Sequence, residues 1–302
     1  MIKTTKIYLI ALIILLSFNA CDKSDPISSN PQLETTFNKT IEHDGLNREY
    51  ILYIPGSYTG NEPVPVVFNF HGFTQQADDY MKYADFRSLA DTANFILVYP
   101  QGTLFNGLSY WNVDGAWTIG SNVDDIGFTE ALIDTISSEY NIDLSRVYST
   151  GFSNGGYMSF HLACQLNDKI TAIASVSATI IQSTFGDCTP QHPTPILQIH
   201  GTNDPLVPYN GSAISLSVDD ALDYWINYNN CDPEPIATTI PHNDNTTNGT
   251  SVLHLSYSHG DNNTVIEHYR IDNGGHDWPG SSGNMDINAC NEIWKFFSKY
   301  SN

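Results

Sequence analysis

Apolar positions along the chain follow two alternating rhythms. Short runs such as "YILYIP" and "VPVVFNFHG" read as strands, the second nearly continuous, as in a sheet covered on both faces. "FRSLADTANF" then reads as a helix, "ILVYPQG" as a strand, and "DDIGFTEALIDTISSEYN" as a helix with Ile126, Leu132, Ile133 and Ile136 on one side. Strand "RVYSTG", helix "NGGYMSFHLACQL" and strands "ITAIASVSA" and "PILQIHG" follow. Strands alternating with helices imply βαβ crossovers, hence an α/β fold with a mostly parallel central sheet flanked by helices.

Beyond that unit, "SVDDALDYWINYN" reads as a helix opened by Ser217, with Asp220 three residues on as in a capping box. Residues 237 to 270 read as strands, with "SVLHLSYS" and "TVIEHYRI" joined by the turn "HGDNN". The closing helix "DINACNEIWKFFSKY" carries Ile287, Cys290, Ile293, Trp294 and Phe297 at helical spacing, which makes them core residues. No linker, repeat or low-complexity block interrupts the chain after about Glu34, so residues 34–302 are expected to form one domain.

The first residues follow a different pattern. Lys3 and Lys6 precede the apolar run "IYLIALIILLSF", which is short for a bilayer span and suits a signal peptide over residues 1–20. "SFNAC" places Ala20 before Cys21 and resembles a bacterial lipobox, so Cys21 is the expected lipidation site of an exported lipoprotein of the cell envelope or surface. Plain secretion is the alternative. Residues 21–33, with "DKSDPISSNPQ", suit a flexible tether. Membrane contact is then expected only through the lipid.

Charge and cysteines narrow the picture further. Among 302 residues, 33 Asp and Glu against 12 Lys and Arg give a net charge of −21, which repels phosphate backbones and excludes nucleic acid as an expected partner. With Cys21 assigned to lipid, Cys164, Cys188, Cys231 and Cys290 remain for an oxidising compartment. Three connectivities are open to them; Cys164–Cys188 with Cys231–Cys290 is taken as the working assignment. No CxxC or HExxH occurs and the histidines lack metal-ligand spacing, so neither metal nor cofactor is expected.

The stretch "VYSTGFSNGGYM" carries the chemistry. Ser153 lies between Gly151 and Gly155 where a strand gives way to a helix, the setting of a nucleophile elbow. A serine nucleophile needs a base, and the base needs an acid that holds its tautomer. In that setting the chain order is serine, acid, histidine. Asp204, in the loop after strand "PILQIHG", is the expected acid, since Asp219, Asp220 and Asp223 lie on a helix as its capping or solvated face. His276, in the glycine-rich "IDNGGHDWPG", is the expected base. His242, His254 and His259 belong to the hairpin region, His268 is inside a strand, and Asp277 is a rival acid beside His276. The oxyanion is expected to meet the backbone N–H groups of Asn154 and of Phe73, which follows "NFHG". His71, His200 and His161 are read as structural. Tyr110, Trp111, Trp117 and Trp278 are candidates for an aromatic wall that stacks on a sugar or feruloyl ring, against the reading that they pack the core.

Taken together, "NFHGF", "YPQGT", "VDDIGF", "SRVYSTGFSNGGYM", "IHGTNDPLVPY" and "GGHDWPG" resemble, in order, a family of secreted esterases. These are the poly(3-hydroxybutyrate) depolymerases and the feruloyl and acetylxylan esterases of the first family of carbohydrate esterases. The resemblance runs from about Glu34 to the C-terminus. It implies an α/β-hydrolase fold with Ser153, Asp204 and His276 as triad. Two departures stand out: "SYSHG" lacks a cysteine that often sits there, and Phe73 occupies a place where a smaller residue or cysteine is common.

The function these readings support is a serine esterase acting on feruloyl or acetyl esters of plant cell-wall polysaccharide such as xylan, through an acyl-enzyme. Its partner is then a polysaccharide or polyester ester substrate. A short-chain polyester depolymerase is the alternative within the enzymes; a peptidase is disfavoured because nothing in the sequence resembles the extra propeller domain of the oligopeptidases. A non-catalytic glycan-binding lipoprotein is the alternative of another class.

Overall fold

The computed structural model describes residues 35–113, 121–243 and 249–302. The signal peptide, Cys21 and the tether to residue 33 lie outside the described residues, as does Trp117. The expected α/β architecture is present: a ten-stranded sheet in the order β1-β2-β4-β3-β7-β8-β9-β12-β11-β10. Its centre is parallel, made of β4 (Ile96–Pro100), β3 (Val64–Phe70), β7 (Ile142–Phe152), β8 (Ala172–Val176), β9 (Ile196–Gly201) and β12 (Ile266–Asp272). Antiparallel strands close both edges: β1 (Thr36–His43) with β2 (Leu46–Tyr53), and β11 (Ser251–Tyr257) with β10 (Ile236–Ile240).

Every residue of β3 is buried because helices cover both faces of the sheet. Its side chains alternate between two cores: Val66, Phe68 and Phe70 enter one, Val67 the other. β4 repeats the alternation, with Ile96 and Val98 opposed to Leu97 and Tyr99. The first core takes α3 (Asp125–Glu139), α4 (Asn154–Gln165) and α6 (Val218–Tyr228); the second takes α1 (Ala77–Tyr83), α2 (Arg87–Ala93) and α7 (Ala289–Phe297). Caps set the helix starts. Asp124 accepts from the Gly127 N–H at 2.8 Å and Ser217 from the Asp220 N–H at 3.0 Å. Asn288 caps α7, which is why that helix begins later than its apolar pattern suggests.

Five elements depart from the sequence pattern. β1 and α1 were not expected, nor were the hairpin of β5 (Thr103–Phe105) and β6 (Leu108–Tyr110) and the single turn α5 (Gln182–Phe185). The hairpin turns on Asn106 and Gly107, both at positive φ, an Asn-Gly signal that the sequence does carry.

The disulfide assignment is half corrected. Cys164 and Cys188 are bonded, but Cys231 and Cys290 are free and buried. The reason is topological: Cys231 packs in the first core and Cys290 in the second, so the sheet stands between them. Burial pushes both thiols up, Cys290 to about 12, which keeps them protonated and inert. The Cys164–Cys188 bond closes a loop over a separation of 24 residues, tying the end of α4 to the segment after α5. By loop-closure entropy a loop of that length contributes about 3 kcal/mol. Cys164→Ser with Cys188→Ser should lower the unfolding free energy by that amount in urea titrations. An unchanged midpoint would refute the account.

Candidate active site

β7 ends at Phe152 and α4 begins at Asn154, leaving Ser153 alone at the turn with φ 54° and ψ −117°. That backbone is strained for a residue with a side chain. The flanking glycines are demanded by contact. A Cβ at Gly151 would stand 2.3 Å from the Gly155 carbonyl oxygen, and one at Gly155 would stand 1.9 Å from that of Phe70. Strand, turn and helix therefore approach as closely as they do only without side chains at these positions.

The expected acid and base, Asp204 and His276, come from neighbouring loops that are stitched together. Asp204 follows β9 and His276 follows β12, and these strands pair in parallel. The Asn203 N–H donates to the Gly274 carbonyl at 2.9 Å, and the Asn273 N–H to Thr202 Oγ1 at 2.8 Å. Asp204 Oδ2 accepts from His276 Nδ1 at 2.7 Å, while its Oδ1 accepts from the N–H groups of Leu206 and Val207, each at 2.8 Å. Burial opposes ionisation of Asp204, but the bond from His276 and those two backbone donors outweigh it and hold the carboxyl below its ordinary value. An ionised carboxylate only accepts, so Nδ1 carries the proton and His276 Nε2 is left as the basic nitrogen. The ring of Phe152, whose centroid lies 4.8 Å away, packs on the imidazole.

The rival residues are engaged elsewhere. Asp277 Oδ1 accepts from Ser282 at 3.0 Å, Asp219 from the Tyr209 hydroxyl at 3.1 Å, and Asp220 from Ser217 at 2.6 Å. His254 pairs with Glu267, His259 with Asp232 and His242 with Asp286. His268 is buried in β12, where desolvation pushes its imidazole down to about 3. His200, also buried and pushed down by burial, sits beneath Asp204 and donates through Nε2 to the Val207 carbonyl at 2.9 Å, helping to fold the acid's loop. His71 is neutral as well: burial pushes it down to about 4.

Ser153, His276, Phe73 and Asn154 line one cavity of about 600 Å³. Among the described residues, the backbone N–H groups of Phe73 and Asn154 meet no protein acceptor, so both remain available to an anion. The rest of the wall is mostly apolar, with Phe152, Leu206, Val207 and Ile214. Leu206 and Phe73 are 72% and 38% exposed.

Among the described residues, the candidates for an aromatic wall do not face the cavity, and Trp117 lies outside those residues. Tyr110, Trp111 and Trp278 are all buried. Trp111 meets Phe70 edge to face at 5.0 Å, and Trp278 is wedged between Tyr80 and Phe86 at 6.0 and 6.3 Å. Tyr110 turns inward to bond Ser121. Sequence reasoning missed the apolar residues that line the rest of the cavity. Phe152, set beside the serine in "GFSNG", and the apolar pair Leu206 and Val207, set beside the acid in "NDPLV", were the available signals.

A serine at a strand-to-helix turn, a histidine bound to a buried carboxylate and two free N–H donors on this sheet fit the α/β-hydrolase fold. Comparison with known proteins agrees on the class. A family model described as Phospholipase/Carboxylesterase matches residues 124–224, a span that includes Ser153 and Asp204. The acetyl xylan esterase of Aspergillus awamori superposes with a TM-score of 0.64, covering 88% of this chain and 99% of that one at 17% identity. The S-formylglutathione hydrolase of Agrobacterium tumefaciens superposes at 0.57, covering 88% and 95% at 14% identity, and at such identities the likeness is one of fold.

Sequence relatives agree with the family resemblance read from the motifs, on its feruloyl and acetylxylan esterase side. The chain is 29% identical over 265 residues to the bifunctional acetylxylan esterase/xylanase of Neocallimastix patriciarum, covering 88% of this chain and 35% of that protein. It is 30% identical over 207 residues to feruloyl esterase B of Piromyces equi, covering 65% and 38%. Probable feruloyl esterase C of Aspergillus niger is 28% identical over 200 residues, covering 64% and 66%. The chain thus spans little more than a third of the length of the first two relatives.

Proposed function

We propose that the protein is a serine esterase acting on feruloyl or acetyl esters of cell-wall polysaccharide, with Ser153, His276 and Asp204 as its triad. The observation that carries this reading is the Asp204–His276 bond at the cavity where Ser153 and two free N–H donors meet. His276 Nε2 takes the Ser153 proton as Oγ adds to the ester carbonyl, and Asp204 stabilises the imidazolium so formed. The negative oxygen is received by the N–H groups of Phe73 and Asn154, aided by the N-terminus of α4. The imidazolium then protonates the departing alcohol. Water activated by the same histidine releases the acid from the acyl-enzyme.

Two features support the choice of substrate. The relatives are feruloyl and acetylxylan esterases, and the apolar wall of the cavity suits an uncharged acyl group. The net charge of −21 disfavours polyanionic polymers. The exposure of Leu206 and Phe73 favours a second reading, a short-chain polyester depolymerase, which needs an apolar surface around its site. Export on residues 1–20 with a lipid on Cys21 belongs to the same proposal, with the catalytic domain over residues 34–302.

A fluorophosphonate probe should label Ser153 of the folded protein, and labelling of separated membrane and medium fractions reads its location. Failure of folded protein to label would leave the glycan-binding alternative in place. Values of kcat/KM on methyl ferulate, acetylated xylan and a soluble 3-hydroxybutyrate oligomer then rank the substrates. Preference for the oligomer would overturn the cell-wall assignment and keep the esterase.

A further inference from the structure

We infer that Trp111 is a positioning residue that fixes the two oxyanion donors relative to each other; the inference rests on the esterase reading above. The donors belong to separate parts of the chain, one at the start of α4 and the other in the loop after β3. Trp111 reaches both. Its backbone N–H donates to Asn154 Oδ1 at 2.6 Å and its carbonyl accepts from Asn154 Nδ2 at 3.2 Å, a closed pair of bonds that clamps the residue carrying the first donor. Its indole Nε1–H donates to the His71 carbonyl at 2.9 Å, on the other arm.

From His71 the constraint passes to the second donor. His71 Nδ1–H donates to the Gly72 carbonyl at 2.7 Å, while Nε2 accepts from the Gly102 N–H at 2.9 Å. The peptide unit is planar, so holding the Gly72 carbonyl also holds the N–H of Phe73 at its other end. The Gly72 N–H donates to Gln75 Oε1 at 2.7 Å and the Thr74 N–H to the Ser109 carbonyl at 2.8 Å, which fixes the flanks of that turn.

Trp111 is itself anchored. The N–H of Asn112 donates to Asp125 Oδ2 at 2.7 Å, and Asp125 Oδ1 is bound by Arg48 Nη2 at 2.6 Å, with both of these charged side chains buried. An ion pair without access to water breaks only at a cost of several kcal/mol, so the anchor is rigid. The "VDDIGF" motif therefore acts at the oxyanion site through Asn112 and Trp111. An oxyanion donor contributes its full effect only at the right distance from the transition-state oxygen, so loosening one arm is expected to lower turnover without weakening ester binding.

Trp111→Phe removes the indole bond and keeps an aromatic ring; Asn154→Ala removes the clamp and keeps the backbone N–H. Each should lower kcat on p-nitrophenyl acetate roughly 10- to 100-fold, with KM within about twofold of wild type. The affinity for phenylboronic acid should fall in parallel. In that adduct the serine oxygen bonds to boron, its proton passes to histidine and no group leaves, so a boron-bound oxygen probes the same donors. Ile293→Val, in the other core, controls for general loosening and should leave both readouts unchanged. The inference is overturned by either variant retaining wild-type kcat, by kcat falling while boronate affinity holds, or by the control falling equally. A wild type that neither turns over the ester nor binds the boronate would overturn the esterase reading, and the role of Trp111 with it.

Discussion

Ser153→Ala is expected to lower kcat/KM on any ester the protein accepts by about 10⁴- to 10⁶-fold, while leaving the folded structure in place. Ser153 supplies the hydroxyl at the strand-to-helix turn beside the Asn154 N–H, so without it the remaining rate would come from water attacking a bound, polarised ester. Alanine keeps the strained φ of 54°, so stability should stay close to wild type. Ser153→Gly separates the two consequences of that geometry. It abolishes turnover equally, but glycine adopts positive φ freely, and the variant should gain on the order of 1 kcal/mol in denaturant titrations. Activity in Ser153→Ala within tenfold of wild type would refute the nucleophile. A glycine variant less stable than the alanine variant would refute the strain.

Asp204→Asn should reduce kcat/KM by roughly 10⁴-fold, through the tautomer of His276 and not through lost packing. In wild type, Oδ1 receives the Leu206 and Val207 N–H groups and Oδ2 receives His276 Nδ1. An asparagine must keep its carbonyl oxygen against the two backbone donors, because an amide nitrogen has no lone pair to accept them. Its NH₂ is then forced to face His276 Nδ1 at the 2.7 Å contact. The imidazole responds by accepting at Nδ1 and carrying its proton on Nε2, where the serine proton has to go. Kinetics at several pH values would check this, since raising the pH does not restore the wrong tautomer. Full activity in Asp204→Asn would mean that another carboxylate orients the histidine.

Much of this site was legible because its signals are local. The glycines around Ser153 follow from atoms a few residues apart, and Asp204 and His276 each sit where a strand ends in a loop. The structural reading of His71 and His200 rested on local signals too, since each precedes a glycine at the end of an apolar run; His71 follows β3 and His200 lies inside β9. Short polar elements were not. α1 has two acidic residues in its first turn and spans seven residues, and β1 mixes charged and apolar positions; pairing along β2 gives β1 its place.

The sequence by itself determined the α/β alternation, the buried centre of the sheet, the strand-to-helix turn at Ser153, and the chain order of Ser153, Asp204 and His276. Periodicity and turn chemistry are properties of neighbouring residues, and they survive without knowledge of the fold. Only the tertiary structure decided which way the aromatic residues point and which cysteines meet. Trp111 and Trp278 face the cores, and Cys231 and Cys290 lie on opposite sides of the sheet. These outcomes depend on contacts between segments far apart in the chain, where side-chain direction follows from the packing of layers against one another. The same long-range packing hands the cavity wall to Phe73, Phe152, Leu206 and Ile214, and turns Trp111 toward Asn154 and His71.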